Sequence, residues 1–335
     1  MKNLLIQNKN EDFNLNLSIL NKSSNEIKGI IYFGIASALF GINNFQMKIF
    51  RVWFPDDFDE SSFIIWRSLL MPIISYYNLK QDNQEVLDYN EIKNKLWFII
   101  RMSSNFLTLI LLIPALKYLR VATASTIVSM YPILTIILAV IILKEKFFWK
   151  YVAFTVIGFL CSLMMIMNDK NYQDSISEDN QKPNADTQNT QNTSEILLGT
   201  ILGILAMLMI SLNVIATKIL VADKINFNNQ MFYIGLSNAI LGLISSIFSF
   251  YISFRLSFIL VCFVNSLTFY ISSKFMILAF EYIDAAKTTP LAYLGIIVNF
   301  VLGVILLGEP VFLTDLIGSL VILGCNVYYA RMAKN

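Results

Sequence analysis

Long apolar runs of about twenty residues recur along the chain, separated by short polar connections. A run of that length crosses a hydrocarbon core of roughly 30 Å as an α-helix. Lipid offers the backbone no hydrogen-bond partner, so a spanning segment is either a helix or a strand of a closed barrel. Barrel strands alternate over roughly ten residues. These runs are unbroken, and the pattern therefore predicts an all-α membrane protein. Ten helices are expected, at about 29–48, 62–79, 96–115, 121–143, 149–168, 196–218, 230–251, 256–281, 286–307 and 311–331.

Two polar stretches frame this series. Residues 1–28 are rich in Asn, Lys and Ser and lack the apolar core of a cleavable secretory signal, so the first membrane helix is expected to direct insertion. Between the fifth and sixth helices, residues 169–194 are dominated by Asn, Gln, Asp and Ser, the composition of a disordered linker. The expected organisation is a tail over 1–28, a five-helix unit over 29–168, the linker, and a second five-helix unit over 195–331.

Lysine and arginine in the loops set the orientation, because the cytoplasmic side collects them. With the N-terminus inside, the inner segments hold fifteen, from Lys2 to Lys334, and the outer segments seven: Lys48, Arg51, Lys117, Arg120, Lys170, Lys182 and Arg255. Arg67, Arg101 and Lys274 lie within helices and complete the 25. Both termini are then cytoplasmic and the linker faces outward. Asn192-Thr193-Ser194 in that linker reads as an N-glycosylation sequon, although a tract this rich in Asn and Thr produces such triplets by chance.

Composition agrees and narrows the chemistry. Of 335 residues, 56% are hydrophobic and 14% charged, against about 25% charged in an ordinary soluble domain. A net charge of +2 without a basic cluster argues against nucleic acid as a partner. The absence of histidine removes His-based triads and His metal sites. Cys161, Cys262 and Cys325 stand apart in apolar segments, without metal-ligand or disulfide spacing. No Gly-x4-Gly-Lys-Ser/Thr sequence is present to bind ATP phosphates. No cofactor or metal is expected; the expected partners are the bilayer and a small molecule, and a homo-oligomer is compatible with the sequence.

The chain repeats itself. A shift of 164 residues lays Ala115, Tyr118, Ala122, Ile133, Leu138, Val140, Leu143 and Glu145 on Ala279, Tyr282, Ala286, Ile297, Leu302, Val304, Leu307 and Glu309. A shift of 170 lays Gly29, Ala36, Asn43 and Lys48 on Gly199, Ala206, Asn213 and Lys218. Each unit holds five helices, an odd number, so the second enters the membrane from the opposite side. Such inverted repeats characterise secondary transporters, with the substrate site near the midplane where the units meet.

The motifs Ala115-Leu116-Lys117-Tyr118-Leu119, Tyr131-Pro132 and Leu143-Lys144-Glu145, with their second copy in Thr289-Pro290-Leu291-Ala292-Tyr293 and Leu307-Gly308-Glu309-Pro310, resemble the EamA-type transporters of the drug/metabolite transporter superfamily. The resemblance covers about 29–331, and the second copy is the closer to the pattern. It departs at Lys144, where the family usually has glycine, and near Ala153. It implies ten helices, cytoplasmic termini and a central cavity lined by the first, third, fourth, sixth, eighth and ninth.

Candidate residues are the polar groups inside membrane helices. A charge there is costly and faces protein or water rather than lipid. Arg101 lies roughly 9 Å into the third helix from Lys95, placed to meet an anionic substrate or to snorkel to headgroups. Arg67 offers the same alternatives. Lys274 and Glu281 fall two turns apart on one face of the eighth helix, as a coupling pair or as structural ion pairs. Asn43, Asn213, Asn265, Tyr131 and Tyr293 either line the cavity or hydrogen-bond across helices, with Asn105 and Asn299 as further amides of that kind. Pro132 and Pro290 interrupt cavity helices as hinges or inert kinks. Glu145 and Glu309 end apolar runs at interfaces and read as helix punctuation. The small pair Gly199 and Gly203 fits close helix packing.

The expected function is secondary transport of a small organic metabolite, such as an amino acid or a nucleotide sugar and including anionic ones, by alternating access. The alternatives are a scaffold or lipid-handling protein with the same fold, and a membrane-bound transferase. A transferase needs an interfacial cluster of acids, His or Cys, and the acids here are scattered in loops.

Overall fold

Every regular element among the described residues is helical. The computed structural model describes residues 2–54, 59–118, 127–146, 149–161, 163–164, 193–249, 252–307, 311 and 313–334. In chain order the helices are α1 (Lys2–Trp53), α2 (Glu60–Gln81), α3 (Lys95–Tyr118), α4 (Tyr131–Ile142), α5 (Trp149–Cys161), α6 (Thr193–Ala222), α7 (Phe227–Ser249), α8 (Leu256–Tyr282), α9 (Leu294–Leu307) and α10 (Leu313–Lys334). A helical turn, Ala285–Thr288, and a 3-10 segment, Thr289–Tyr293, lead into α9.

Six stretches among the described residues are long and apolar enough to cross a membrane: Asn25–Met47, Lys95–Leu112, Leu197–Ala222, Phe227–Ile247, Leu256–Tyr282 and Ala285–Leu306. Tyr131–Ile142, Trp149–Cys161 and Leu313–Tyr328 are apolar but shorter. The expected crossing at 62–79 falls in α2, which mixes its apolar residues with Arg67, serines and paired tyrosines. The chain is an integral, multi-pass membrane protein. The first helix also extends beyond its apolar span, because α1 continues back through the polar N-terminal residues to Lys2.

Helix ends are set locally. Asp59 caps α2, its carboxylate accepting the Ser62 N–H at 3.1 Å. Asn83, Lys144 and Lys224 take left-handed φ values of 52°, 55° and 59° just beyond α2, α4 and α6. At each of these ends an N–H turns back to a carbonyl of the last turn: Gln84 to Leu79, Glu145 to Ala139, and Ile225 to Leu220. Position 144 is where the resembled family usually has glycine, and the positive φ supplies the reason.

Three helix pairs form the body of the bundle: α1 with α8, α3 with α6, and α2 with α7. The first two join the first helix of one unit to the third of the other. The third joins the two second helices. Glycine permits two of the closest approaches. A Cβ on Gly41 would lie 2.3 Å from the Gly295 carbonyl oxygen, and one on Gly235 would lie 2.4 Å from the Pro72 ring. Gly203, from the pair expected to pack tightly, meets only Ile127 side-chain carbons, starting at 3.4 Å.

The outer surface is apolar where a soluble protein's would be polar. On α8, Leu260, Val264, Leu267 and Ile271 form an exposed stripe, and Leu236, Ile240, Leu243 and Ile247 do the same on α7. Lipid removes the penalty for such exposure. The interior, in contrast, holds Asn43, Arg67, Arg101, Asn238 and Asn265.

Candidate functional site

Two groups of polar side chains sit where helices of the two units face each other. The first lies between α3 and α6. Arg101 donates from Nη1 to Asn213 Oδ1, and Asn213 donates from Nδ2 to Ser104 Oγ, both at 2.5 Å. Ser104 Oγ donates in turn to the Arg101 carbonyl at 3.2 Å. Arg101 and Ser104 are three residues apart on one helix, so they share a face and hold Asn213 between them. Arg101 keeps 1% of its surface exposed, which excludes snorkelling to headgroups.

The second group lies between α1 and α8. Asn43 Nδ2 donates to the Asn265 carbonyl at 3.0 Å, and Asn265 Nδ2 donates back to the Asn43 carbonyl at 3.1 Å. Gln46 extends the pair, its oxygen accepting from Asn265 and its Nε2 donating to Thr268 Oγ1. Arg67, on α2, approaches Asn43 Oδ1 at 3.5 Å and lays its guanidinium 4.5 Å from the Phe269 ring centroid. At 4% exposure it too is buried rather than snorkelling.

The groups correspond residue by residue. The shift of 170 relates Asn43 to Asn213, and the shift of 164 relates Asn265 to Arg101 and Thr268 to Ser104. One group therefore carries arginine where the other carries asparagine. Ser104, Gln46 and Thr268 were not singled out from the sequence. The available signal was their position three residues after Arg101, Asn43 and Asn265.

Both groups hold buried polar atoms without a protein partner among the described residues: Arg101 Nε and Nη2 in the first, Arg67 Nε and Asn265 Oδ1 in the second. Neither arginine forms an ion pair with a carboxylate among the described residues; the pairs found there join Lys287 to Glu26 and Asp284. The site is closed. A pocket of about 240 Å³ lies elsewhere, lined by Leu87, Ile92, Lys93, Asp223 and Asn229.

The remaining candidates are dispersed. Lys274 and Glu281 are exposed on α8, Lys274 continuing the stripe of Leu267 and Ile271. Tyr293 is buried beneath α5, where a Cβ on Gly158 would touch its ring, and its hydroxyl donates to the Ser129 carbonyl at 3.3 Å. Tyr131 is half-buried and its carbonyl accepts from Ser211. Pro132 and Pro290 both stand in the first turn of a helical segment, α4 and the 3-10 turn, where the missing N–H is spared. Asn105 and Asn299 are half-buried. Glu309 and Asn192 lie outside the described residues, as do positions 169–192 of the linker.

Glu145 does more than end a helix. Its two carboxylate oxygens accept the N–H groups of Ala285 and Ala286 at 2.9 and 2.8 Å, capping the helical turn that leads into α9. Burial raises its pKa above the ordinary value, against the opposing effect of the two N–H groups. Beside it, Lys218 donates to the carbonyls of Phe280 and Ile283 at 2.7 and 2.6 Å, and Lys287 pairs with Glu26 at 2.7 Å. Lys218 was counted only among the loop cations, although its match to Lys48 in the repeat marked the position.

Comparison with known proteins now bears on this arrangement. Residues 27–167 match the EamA-like transporter family. That stretch is similar to the family over 141 of the 335 residues. The match falls on the first copy of the repeat, with the second outside its span. The matched stretch includes Arg101, Arg67, Asn43 and Glu145. The likeness of fold to a solved structure extends further than the match. A solved chain described as "Crystal structure of protein" aligns over its whole length with 94% of this one, at a TM-score of 0.70 and 12% identity. Among curated proteins, none matches the chain.

Proposed function

We propose that this chain is a secondary transporter of a small organic metabolite bearing an anionic group, an amino acid or a nucleotide sugar among the classes that fit. The observation that carries the reading is the pair of buried, incompletely satisfied polar groups, one between α3 and α6 and one between α1 and α8. A membrane interior tolerates such groups where they meet one another, water or a ligand. The Arg101 guanidinium, with two buried donors unmet and no carboxylate paired to it among the described residues, favours an anion.

In this reading the two five-helix units are inverted repeats that close alternately on the polar groups. The reciprocal pairing of α1 with α8 and α3 with α6 supports that relation, as does the residue correspondence between the groups. The contacts of Glu145 with Ala285 and Ala286 cross between the units, so opening that end of the bundle breaks them. The excess of Lys and Arg in alternate loops supports a cytoplasmic side for this end and for both termini.

Uptake into proteoliposomes across a panel of labelled amino acids and nucleotide sugars tests the proposal. Accumulation above empty vesicles is expected for at least one solute, and its absence across the panel counts against transport. Arg101→Gln is expected to weaken apparent affinity, and Lys274→Gln, at an exposed position, to leave it unchanged. Cysteines placed in the N-terminal tail and the linker should react from opposite sides of the membrane. Reaction from the same side rules out the five-plus-five inversion.

A further inference from the structure

We infer that Arg101 is a preoriented fork for a two-oxygen anion, the carboxylate or phosphoryl group of the transported solute, and that Arg67 is not. The inference rests on the transporter reading for its biological meaning, but its geometry stands by itself. A guanidinium has five N–H donors in one plane, and its edges match the two oxygens of a carboxylate or phosphate. In Arg101 the Nη1 corner is committed to Asn213. Asn213 is held by Ser104, and Ser104 by the Arg101 carbonyl, so the hydrogen bonds form a closed loop that fixes the side chain.

The two nitrogens left over, Nε and Nη2, are both buried and both without a protein acceptor. They are also the two that share the outer edge of the guanidinium, with parallel N–H bonds pointing the same way. Paired, charge-assisted donation from such an edge is the strong mode of carboxylate and phosphate recognition. A buried guanidinium that kept two donors unmet for structural reasons alone would be a net cost to the fold.

Arg67 differs in each respect. Its guanidinium face lies against Phe269, its contact with Asn43 is long, and only Nε is a buried donor without a partner. The repeat sharpens the contrast. The position equivalent to Arg101 in the other unit is Asn265, an amide paired with Asn43. The first group therefore offers an open guanidinium edge, and the second an amide pair beside an arginine whose face is covered by Phe269.

Thermal unfolding of the purified full-length protein in detergent reads this out without knowing the solute. Sodium acetate and sodium phosphate are titrated against sodium chloride at matched ionic strength. A saturable rise in the unfolding midpoint is expected with one or both. Acetate alone would assign a carboxylate, phosphate alone a phosphoryl group. Arg101→Gln should abolish the rise. Arg101→Lys keeps the charge without the fork and should raise the half-saturating concentration about tenfold or more. Arg67→Gln should leave it within about twofold. No rise beyond chloride in the wild type, or an undiminished rise in Arg101→Gln, overturns the inference. Uptake of a neutral solute with no such rise would leave the transporter reading standing and remove the anion fork. An Arg101-dependent rise with no uptake of any solute would do the reverse.

Discussion

Substituting Gly41 by alanine tests the closest approach between the two units. A Cβ there would lie 2.3 Å from the Gly295 carbonyl oxygen and 2.9 Å from its Cα. Carbon atoms rest comfortably at about 3.5 Å or more, so α1 and α9 would have to part by about 1 Å. The obstacle is backbone and has no rotamer to escape into, which places the overpacking cost near the top of its usual range, about 3 kcal/mol. The same crossing carries two hydrogen bonds through one hydroxyl. Ser37 Oγ donates to the Ala292 carbonyl and accepts from the Gly295 N–H, both at 3.0 Å. Parting by 1 Å would break both, at about 1 kcal/mol each, while alanine recovers about 1 kcal/mol of helix propensity. The expected loss is about 4 kcal/mol, or roughly 8 °C in the unfolding midpoint at about 2 °C per kcal/mol for a chain of this size. Fluorescence-detected thermal unfolding in detergent measures it, with Gly324→Ala as the control. A Cβ on Gly324 meets nothing within 4 Å, so that variant should match or slightly exceed the wild type. If Gly41→Ala melts with the control, the helices do not touch at this glycine and the reasoning fails.

Three further outcomes follow from the helix ends. Lys144→Gly relieves a left-handed φ of 55° and should stabilise the protein by about 1 kcal/mol, read as a higher midpoint; an unchanged or lower one would show that Lys144 has a compensating contact. Burial raises the Glu145 carboxyl, so the folded protein binds that proton more tightly than the unfolded chain. Its contribution is fully present below the ordinary value of 4.5 and is lost as pH rises through the raised one. Midpoints measured upward from pH 4.5 should therefore fall more steeply for the wild type than for Glu145→Gln, and parallel curves would contradict this. Lys218→Met leaves the Phe280 and Ile283 carbonyls without their donor and should cost about 2–4 kcal/mol. A midpoint equal to the wild type's would show that these bonds contribute nothing.

Hydropathy alone determined that the chain is helical and membrane-embedded, because an apolar run of about twenty residues has few other ways to satisfy its backbone. A repeated pattern stands in the sequence as well, since matched asparagines, tyrosines and glutamates stand out against interchangeable aliphatic residues. Local pattern also drew attention to Arg101, Asn213, Asn43, Asn265 and Arg67, which the fold gathers into two hydrogen-bonded groups. What each does was not legible. The spacing of Arg101 from its helix end allowed snorkelling or burial, and only packing of α3 against α6 chose burial, by bringing Asn213 within reach of Nη1. Lys274 read in the sequence as half of a coupling or structural pair with Glu281, yet its rotation about α8 leaves it exposed. Glu145 read as punctuation because its partners, Ala285 and Ala286, are about 140 residues away. Hydrogen bonds of that range depend on how two units dock, and one-dimensional periodicity records which face of a helix is polar but not what that face will meet.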